Sequence, residues 1–229
     1  MLKWWGLLFL AVPCWADPNL IEHSGIWFNY FGDHAWNQHW GLHLEGQLRR
    51  VDGLSKGQQL ILRPGVNYEA NPHVKFMLGY TNQQNYSYDR FSFPSRINEH
   101  RIHEEATVSH PVSKFRIQQR FRLEQRFMDY AGDWQFRQRF RYRFLANLPV
   151  SERNYLAVYN EILTTFGSHS FRAFDQNRTY GAIGHNFGKL ARLEVGYMYQ
   201  YQQVTDARFR RNHLMQVTFF SKQPLRKQR

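Results

Sequence analysis

Residues 134–144 read Trp-Gln-Phe-Arg-Gln-Arg-Phe-Arg-Tyr-Arg-Phe, an alternation of aromatic and cationic side chains. Successive side chains of a β-strand point to opposite faces, so this stretch predicts a strand with one aromatic face and one cationic face. The run from Phe115 to Phe127 has the same alternation, and the short segment 129–133 separates the two runs. Together they predict an amphipathic β-hairpin.

The same alternation recurs along the rest of the chain. Clear runs cover residues 40–49, 59–69, 74–81, 101–108 and 192–201, and weaker runs cover 25–31, 154–165, 178–188 and 212–220. This period of two is the signature of strands, and several runs are longer than the 5–6 residues typical of soluble proteins. Tight connectors lie near 71–72, 111–114, 149–153 and 188–190, and longer polar loops are expected at 50–58, 84–97, 129–133, 166–177 and 203–211. The pattern predicts an all-β fold, an antiparallel up-and-down transmembrane β-barrel over residues 17–221.

The number of strands follows less directly from the sequence. The alternating runs number eleven, whereas bacterial single-chain barrels have even numbers of strands. A weakly alternating segment, Tyr86–Phe93, supplies a twelfth strand in our preferred interpretation. The alternative places Ile26–Phe31 outside the barrel wall and leaves ten strands.

The first sixteen residues have the composition of an export signal. Lys3 precedes an apolar run over residues 4–12, and a small residue, Ala16, ends the segment. This order predicts a secretory signal peptide over residues 1–16, and the apolar run is too short to span a bilayer as a helix. The single cysteine, Cys14, lies inside it, so the exported chain is expected to have no disulfide. A lipoprotein would be acylated at Cys14, but its proline and tryptophan neighbours argue against that.

Composition narrows the possible partners. Aromatic residues make up 17% of the chain, the formal net charge is +12, and residues 222–229 form a basic C-terminal tail. No long apolar run follows residue 16, which excludes helical membrane spans. A basic chain can bind nucleic acid, but an exported chain rarely meets it. We therefore expect outer-membrane lipid and small anions as partners, and no nucleic acid.

Alternation alone does not decide which face of the strands meets water. In a soluble barrel the aromatic face is the core, whereas in an outer-membrane barrel it contacts lipid and the arginines line the lumen. Strand length, strand number and the export signal favour the bacterial outer membrane. Aromatic residues at the ends of runs suit interfacial girdles, as at Trp40, Phe127, Trp134 and Tyr201. The alternative is a soluble exported β-barrel that binds an anionic ligand.

Several motifs, in order along the chain, carry a resemblance to a known family. They are Ile26–Phe31, Trp40–His43 with Glu45, Glu99–Arg101, Arg122–Phe127, Arg139–Arg143, Tyr159–Glu161, Phe174–Arg178 and Glu194–Met198. On these residues the chain resembles the domain-of-unknown-function 2490 family of bacterial outer-membrane proteins. The resemblance implies an outer-membrane β-barrel and no particular activity. The basic tail after Phe219-Phe220 departs from it, because such barrels more often end on an aromatic strand.

The cationic faces and the acidic residues on other strands are the candidate lumen-lining set. It comprises Arg116, Arg120, Arg122, Glu124, Arg126, Arg137, Arg139, Arg141, Arg143, Glu45, Glu105, Glu161 and Glu194, and Glu69 is expected to face the arginines as well. Arginine–glutamate pairs could brace a narrow barrel from inside. An excess of arginine could instead form a narrow pore or a pocket for small anions. The sequence leaves both interpretations open.

An outer-membrane lipid hydrolase is the enzymatic alternative. Such an enzyme needs a serine hydroxyl within hydrogen-bond reach of a histidine. The two candidate pairs, His169-Ser170 and Ser109-His110, are adjacent residues, and adjacent side chains on a strand point apart. No catalytic residue is therefore assigned. The eleven histidines are scattered, so neither a metal site nor a cofactor is expected.

Overall fold

A computed structural model describes residues 20–89, 96–167, 172–205 and 207–225. The predicted signal peptide and the last four residues of the basic tail lie outside these ranges. Within them the chain forms eleven β-strands: β1 (Leu20–Ala35), β2 (Trp40–Val51), β3 (Lys56–Asn71), β4 (Val74–Asn85), β5 (Ile97–Val112), β6 (Phe115–Tyr130), β7 (Asp133–Pro149), β8 (Asn154–Gly167), β9 (Arg172–Phe187), β10 (Ala191–Thr205) and β11 (Arg208–Ser221). No helix in this part of the chain is long and apolar enough to cross a membrane.

The strands close into a barrel in sequence order. Each strand pairs antiparallel with the next one, and β1 closes the barrel by pairing with β11 in parallel. The parallel register runs from Leu20 opposite Phe209 to Gly32 opposite Ser221. Because every strand has two hydrogen-bonded neighbours, the sheet has no open edge. The predicted all-β barrel of antiparallel hairpins is confirmed.

The strand number is eleven among the described residues, rather than twelve or ten. Ile26–Phe31 lies in β1 and pairs with both β2 and β11, so it belongs to the barrel wall. Residues 86–89 form no strand, and residues 90–93 lie outside the described ranges. Asp89 instead contacts His23 and Arg210, on the strands that close the barrel. The parallel pairing of β1 with β11 is what permits an odd number.

Connections alternate between the two ends of the barrel. We call the end where β11 finishes the C-terminal rim and the end where β1 starts the N-terminal rim. The β6–β7 connection is a two-residue turn in which Ala131 and Gly132 both have positive φ, 56° and 98°, as tight hairpins require. The predicted loop at 129–133 is therefore shorter than expected.

Strands also extend into the segments 50–58, 166–177 and 203–211, where longer loops were expected. The alternation fades there because polar residues occupy both faces, as at Arg49 and Arg50 near the end of β2. A strand that continues into polar surroundings keeps its hydrogen bonds but loses the pattern that identifies it.

The two faces of the hairpin β6–β7 have opposite surroundings. Arg139 and Arg141 are 6% and 7% exposed and point into the lumen, whereas Phe140 between them is 38% exposed on the barrel exterior. Large exposed apolar residues recur on other strands, including Leu62, Leu78, Ile162 and Val195. The barrel is therefore polar inside and largely apolar outside.

Candidate functional site in the barrel lumen

Strand alternation directs the arginines of β6 and β7 into the lumen. Arg120, Arg122, Arg139 and Arg141 are buried there. Arg126, Arg137 and Arg143 share their faces and are half-buried. Arg116 differs from the rest of the predicted set, because it lies near the C-terminal rim and is exposed.

Glu161 on β8 is the point where arginines from three other strands converge. Its side chain is 2% exposed. It accepts hydrogen bonds from Arg120 on β6 at 2.5 Å, Arg141 on β7 at 2.8 Å and Arg178 on β9 at 3.3 Å. Charge-assisted hydrogen bonds of this kind are stronger than neutral ones. Glu161 therefore ties four strands together from inside.

Two further carboxylates extend this arrangement around the wall. Glu124 accepts from Arg139 at 2.6 Å and from Arg141 at 2.9 Å, so Arg141 bridges Glu124 and Glu161. Glu105 accepts a hydrogen bond from Nε of Arg122 at 2.7 Å, forms an ion pair with Nη2 of the same arginine at 2.6 Å, and lies 3.6 Å from Arg120. We call the connected group the central ion network: Glu105, Arg120, Arg122, Glu124, Arg139, Arg141, Glu161 and Arg178.

The remaining acidic residues have other partners. Glu45 pairs with Arg63 on β3. Glu194 accepts a hydrogen bond from the hydroxyl of Tyr155 at 2.7 Å and lies 3.9 Å from Arg192, away from the β6–β7 arginines. Glu69 shares the parity of the buried Asn67 but lies near the end of β3 and is exposed, and no arginine among the described residues lies within 4.0 Å of its carboxylate.

An apolar cluster inside the barrel was not predicted. It consists of Trp27, Tyr155, Ala157, Tyr180, Ala182, Met198 and Leu214. These residues come from β1 and β8–β11, so the cluster fills the lumen beside that part of the wall. The Tyr155 ring lies directly over Gly184, where a Cβ atom would overlap it. An aromatic ring that covers a strand glycine compensates for the missing side chain.

Replacing Gly184 with valine is expected to lower the stability of the barrel by about 1–3 kcal/mol, because the new side chain displaces Tyr155 from the packed lumen. Gly181→Val is the matched control, since no atom lies within 4 Å of a Cβ atom placed there. Urea titration, with the folded fraction read from gel mobility, measures the stability of both variants. Equal midpoints for the two variants would contradict the proposed role of Tyr155.

A cavity of about 380 Å³ lies in the half of the lumen towards the N-terminal rim. Arginines and side-chain amides dominate its lining, and we call it the vestibule. Its described arginines are Arg49, Arg63, Arg101, Arg126, Arg137, Arg139, Arg141, Arg178 and Arg210. Asp175 is the one acidic residue among the described lining residues.

Residues 86–89, at the start of the β4–β5 connection, contact the strands on the other side of the vestibule. Asp89 accepts from Arg210 on β11 at 2.7 Å and lies 2.8 Å from Nε2 of His23 on β1. The Tyr88 ring lies 5.0 Å from the Arg210 guanidinium. Burial raises the pKa of the Tyr88 hydroxyl above its ordinary value, so this residue stays neutral at physiological pH. Tyr86 and Tyr88 thus form part of the vestibule lining.

Sequence reasoning missed several residues of the lumen. Arg49, Arg63, Arg101, Arg178 and Glu99 are all buried there, and Glu99 accepts hydrogen bonds from Arg101 and Arg126 at 2.5 Å. The sequence did indicate their lumen position, because these residues share the parity of the polar face on their own strands. Among the arginines, only those of β6 and β7 were assigned to the lumen from the sequence.

Among the described residues, the structure gives little support for the side-chain arrangement that a serine hydrolase needs. Ser109 and His110 are neighbours on β5, and the Ser109 hydroxyl accepts a hydrogen bond from Gln118 at 3.3 Å. The pair His169-Ser170 lies outside the described residues. Within the described ranges, no group of three or more histidine, cysteine, aspartate or glutamate residues is placed to hold a metal ion.

Comparison with known proteins gives one sequence relative and one structural neighbour to report. An uncharacterised protein of Methylorubrum extorquens is 24% identical over 226 residues, which covers 94% of each chain. A structure of the NanC porin in a rhombohedral crystal form aligns with a TM-score of 0.47 and 10% identity, covering 73% of this chain and 77% of that one. The family described as "Protein of unknown function (DUF2490)" matches residues 24–211. The chain therefore belongs to the DUF2490 family.

Proposed function

We propose that this protein is an outer-membrane β-barrel whose lumen is closed by ion pairs, so that it is a structural barrel rather than an open pore. The central ion network carries this proposal. It places buried charged side chains from five neighbouring strands inside the barrel and holds them by mutual hydrogen bonds. Moving these side chains aside would leave charges without partners, which is costly.

The exterior supports a position in a membrane. The described strands have 12 to 17 residues, whereas a transmembrane strand needs about 9–11. Complete pairing of the wall satisfies the backbone, as lipid requires. An apolar outer surface would be costly in water but suits contact with lipid tails.

Aromatic pairs mark both rims on the outside. At the C-terminal rim the ring centroids of Trp40 and Tyr68 are 4.8 Å apart. At the N-terminal rim Phe127 lies 5.1 Å from Phe136, and Tyr201 lies 5.0 Å from Phe209. Two aromatic girdles at the membrane–water interfaces are typical of outer-membrane barrels.

One exterior carboxylate needs a separate explanation. Glu104 lies among apolar exterior residues of β5 and accepts a hydrogen bond from Gln125 at 3.1 Å. A charged group in contact with lipid is costly, and a hydrogen-bond donor beside it lowers that cost. The Glu104–Gln125 pair is thus compatible with a lipid-facing wall.

The conductance of the refolded protein tests the closed lumen. Added to planar bilayers, protein whose gel mobility shows that it is folded is expected to produce no discrete conductance steps, because the central ion network blocks the path. A known open porin in the same bilayers is the positive control. Stepwise conductance with an anion selectivity that falls in Arg139→Gln or Arg141→Gln would contradict the closed lumen. It would support a narrow pore instead.

Cell fractionation tests the location separately. We expect the protein in the outer-membrane fraction. Recovery in the soluble periplasmic fraction would contradict the membrane assignment and would favour a soluble exported barrel.

A further inference from the structure

The vestibule carries more positive charge than its neighbouring acidic residues neutralise. The nine described arginines that line it contact six carboxylates within 4.0 Å, namely Glu45, Asp89, Glu99, Glu124, Glu161 and Asp175. Nine positive charges against six negative ones leave an excess of three. Glu124 and Glu161 also serve Arg122 and Arg120, outside the vestibule lining, so the six described carboxylates are partly shared with other cations.

Arg49 and Arg137 account for the clearest part of this excess. No carboxylate among the described residues lies within 4.0 Å of either guanidinium. The side chain of Arg49 donates to Oε1 of Gln47 at 2.9 Å from Nε and at 2.5 Å from Nη2, and to Gln59 at 2.5 Å. Arg137 donates to Gln135 at 3.0 Å. Among the described residues, both cations therefore have only neutral acceptors, and Arg49 is 9% exposed.

Two of the cations approach the same aromatic ring from distant parts of the wall. The Arg49 guanidinium on β2 lies 3.7 Å from the centroid of Trp27, and the Arg178 guanidinium on β9 lies 5.6 Å from it. The ring faces partly offset the cost of burying a guanidinium. The ring does not remove the repulsion between the two guanidinium groups. An anion bound close to both of them would offset that repulsion.

We propose that the vestibule binds a small di- or trianionic solute of the phosphate or polycarboxylate class, with Arg49 on β2 and Arg137 on β7 contributing contacts from opposite parts of the wall. Guanidinium groups pair with carboxylates and phosphates through two parallel hydrogen bonds. The cavity volume of about 380 Å³ falls in the range of small-molecule sites. Lining amides such as Gln83 and Gln200 add neutral hydrogen-bonding groups.

The closed wall favours a free solute over a lipid headgroup. Every pair of neighbouring strands is hydrogen bonded, so an acyl chain has no lateral opening through which to follow its headgroup inside. The ligand is therefore expected to enter from the N-terminal rim. This inference does not require a closed lumen, because binding and conductance are measured separately.

Isothermal titration of the refolded barrel in detergent tests the proposal. Pyrophosphate and citrate are the probes, and glucose is the neutral control. We expect saturable binding of at least one of the two anions, one per barrel, that weakens as sodium chloride rises from about 50 to about 500 mM because the interaction is electrostatic. Absence of saturable binding by both anions at low salt would overturn the proposal. Saturable binding of phosphatidylglycerol, added in mixed micelles, without binding of either probe would also overturn it, in favour of a lipid headgroup.

Single substitutions locate the site. Arg49→Gln and Arg137→Gln are each expected to weaken binding about tenfold or more, as the loss of a hydrogen bond to a charged group does. Arg116→Gln removes an exposed arginine near the opposite rim and is expected to leave binding unchanged. Heat-modifiable gel mobility checks that each variant is folded. Equal weakening in all three variants would overturn the assignment, because it would show a general effect of net charge.

Discussion

Glu161→Gln is expected to destabilise the folded barrel by about 3–5 kcal/mol, the cost of leaving buried charges without their partner. The substitution keeps the shape of the side chain but removes the charge that Arg120, Arg141 and Arg178 share. No other carboxylate described here contacts Arg178 within 4.0 Å. The midpoint of urea unfolding, read from gel mobility or tryptophan fluorescence, measures the effect.

Two comparisons make this result specific. Glu152→Gln, in the exposed β7–β8 connection, removes a glutamate outside the lumen and is expected to change stability by less than about 0.5 kcal/mol. The double variant Glu161→Gln with Arg178→Gln leaves one unpaired cation fewer and is expected to be more stable than Glu161→Gln alone. Wild-type stability in Glu161→Gln would show that water, rather than the ion pairs, solvates these arginines.

Leu62→Arg is expected to destabilise the barrel by about 2–4 kcal/mol if the exterior faces the middle of a lipid bilayer. Leu62 lies near the centre of β3 and is 55% exposed on the outer surface. A cation placed there would have to leave water and enter the hydrocarbon layer. Equilibrium unfolding from lipid vesicles measures the change.

The same substitution also distinguishes the membrane barrel from the soluble one. On a water-facing surface, Leu62→Arg would change stability by no more than about 0.5 kcal/mol. Leu62→Met is the matched control, because it conserves volume and apolarity, and it is expected to cost less than about 1.5 kcal/mol. Equal stability of the arginine and methionine variants would contradict a lipid-facing wall at this position.

The fold was largely predictable because strand geometry imposes one simple pattern. Phe140 and Arg141 differ in character because adjacent side chains face opposite environments, and the sequence shows this directly. The way the barrel closes was harder to predict from the sequence. Nothing local in Ile26–Phe31 indicates that it pairs in parallel with a strand about 190 residues later, because register across such a distance depends on the whole sheet.

The lumen was predictable in part. The faces of Arg139 and Arg141 follow from parity, but their partners do not, since Glu161 and Arg178 meet them only after the wall is rolled up. The interior position of Trp27 was also hidden. A tryptophan in an alternating run suits a lipid-facing girdle as readily as a lumen, and its burial in the apolar cluster and its contact with Arg49 in the folded barrel show which it is.

The parallel pairing of β1 with β11 limits how this chain can be rearranged. In a barrel with an even number of strands, the first and last strands form an antiparallel pair, and a short linker can join their free ends to give a circular permutant. Here Leu20 and Ser221 lie at opposite rims. A strand of about 14 residues, tilted as barrel strands are, rises roughly 35 Å. A linker between these ends would have to run the full height of the wall, inside the occupied lumen or along the apolar exterior.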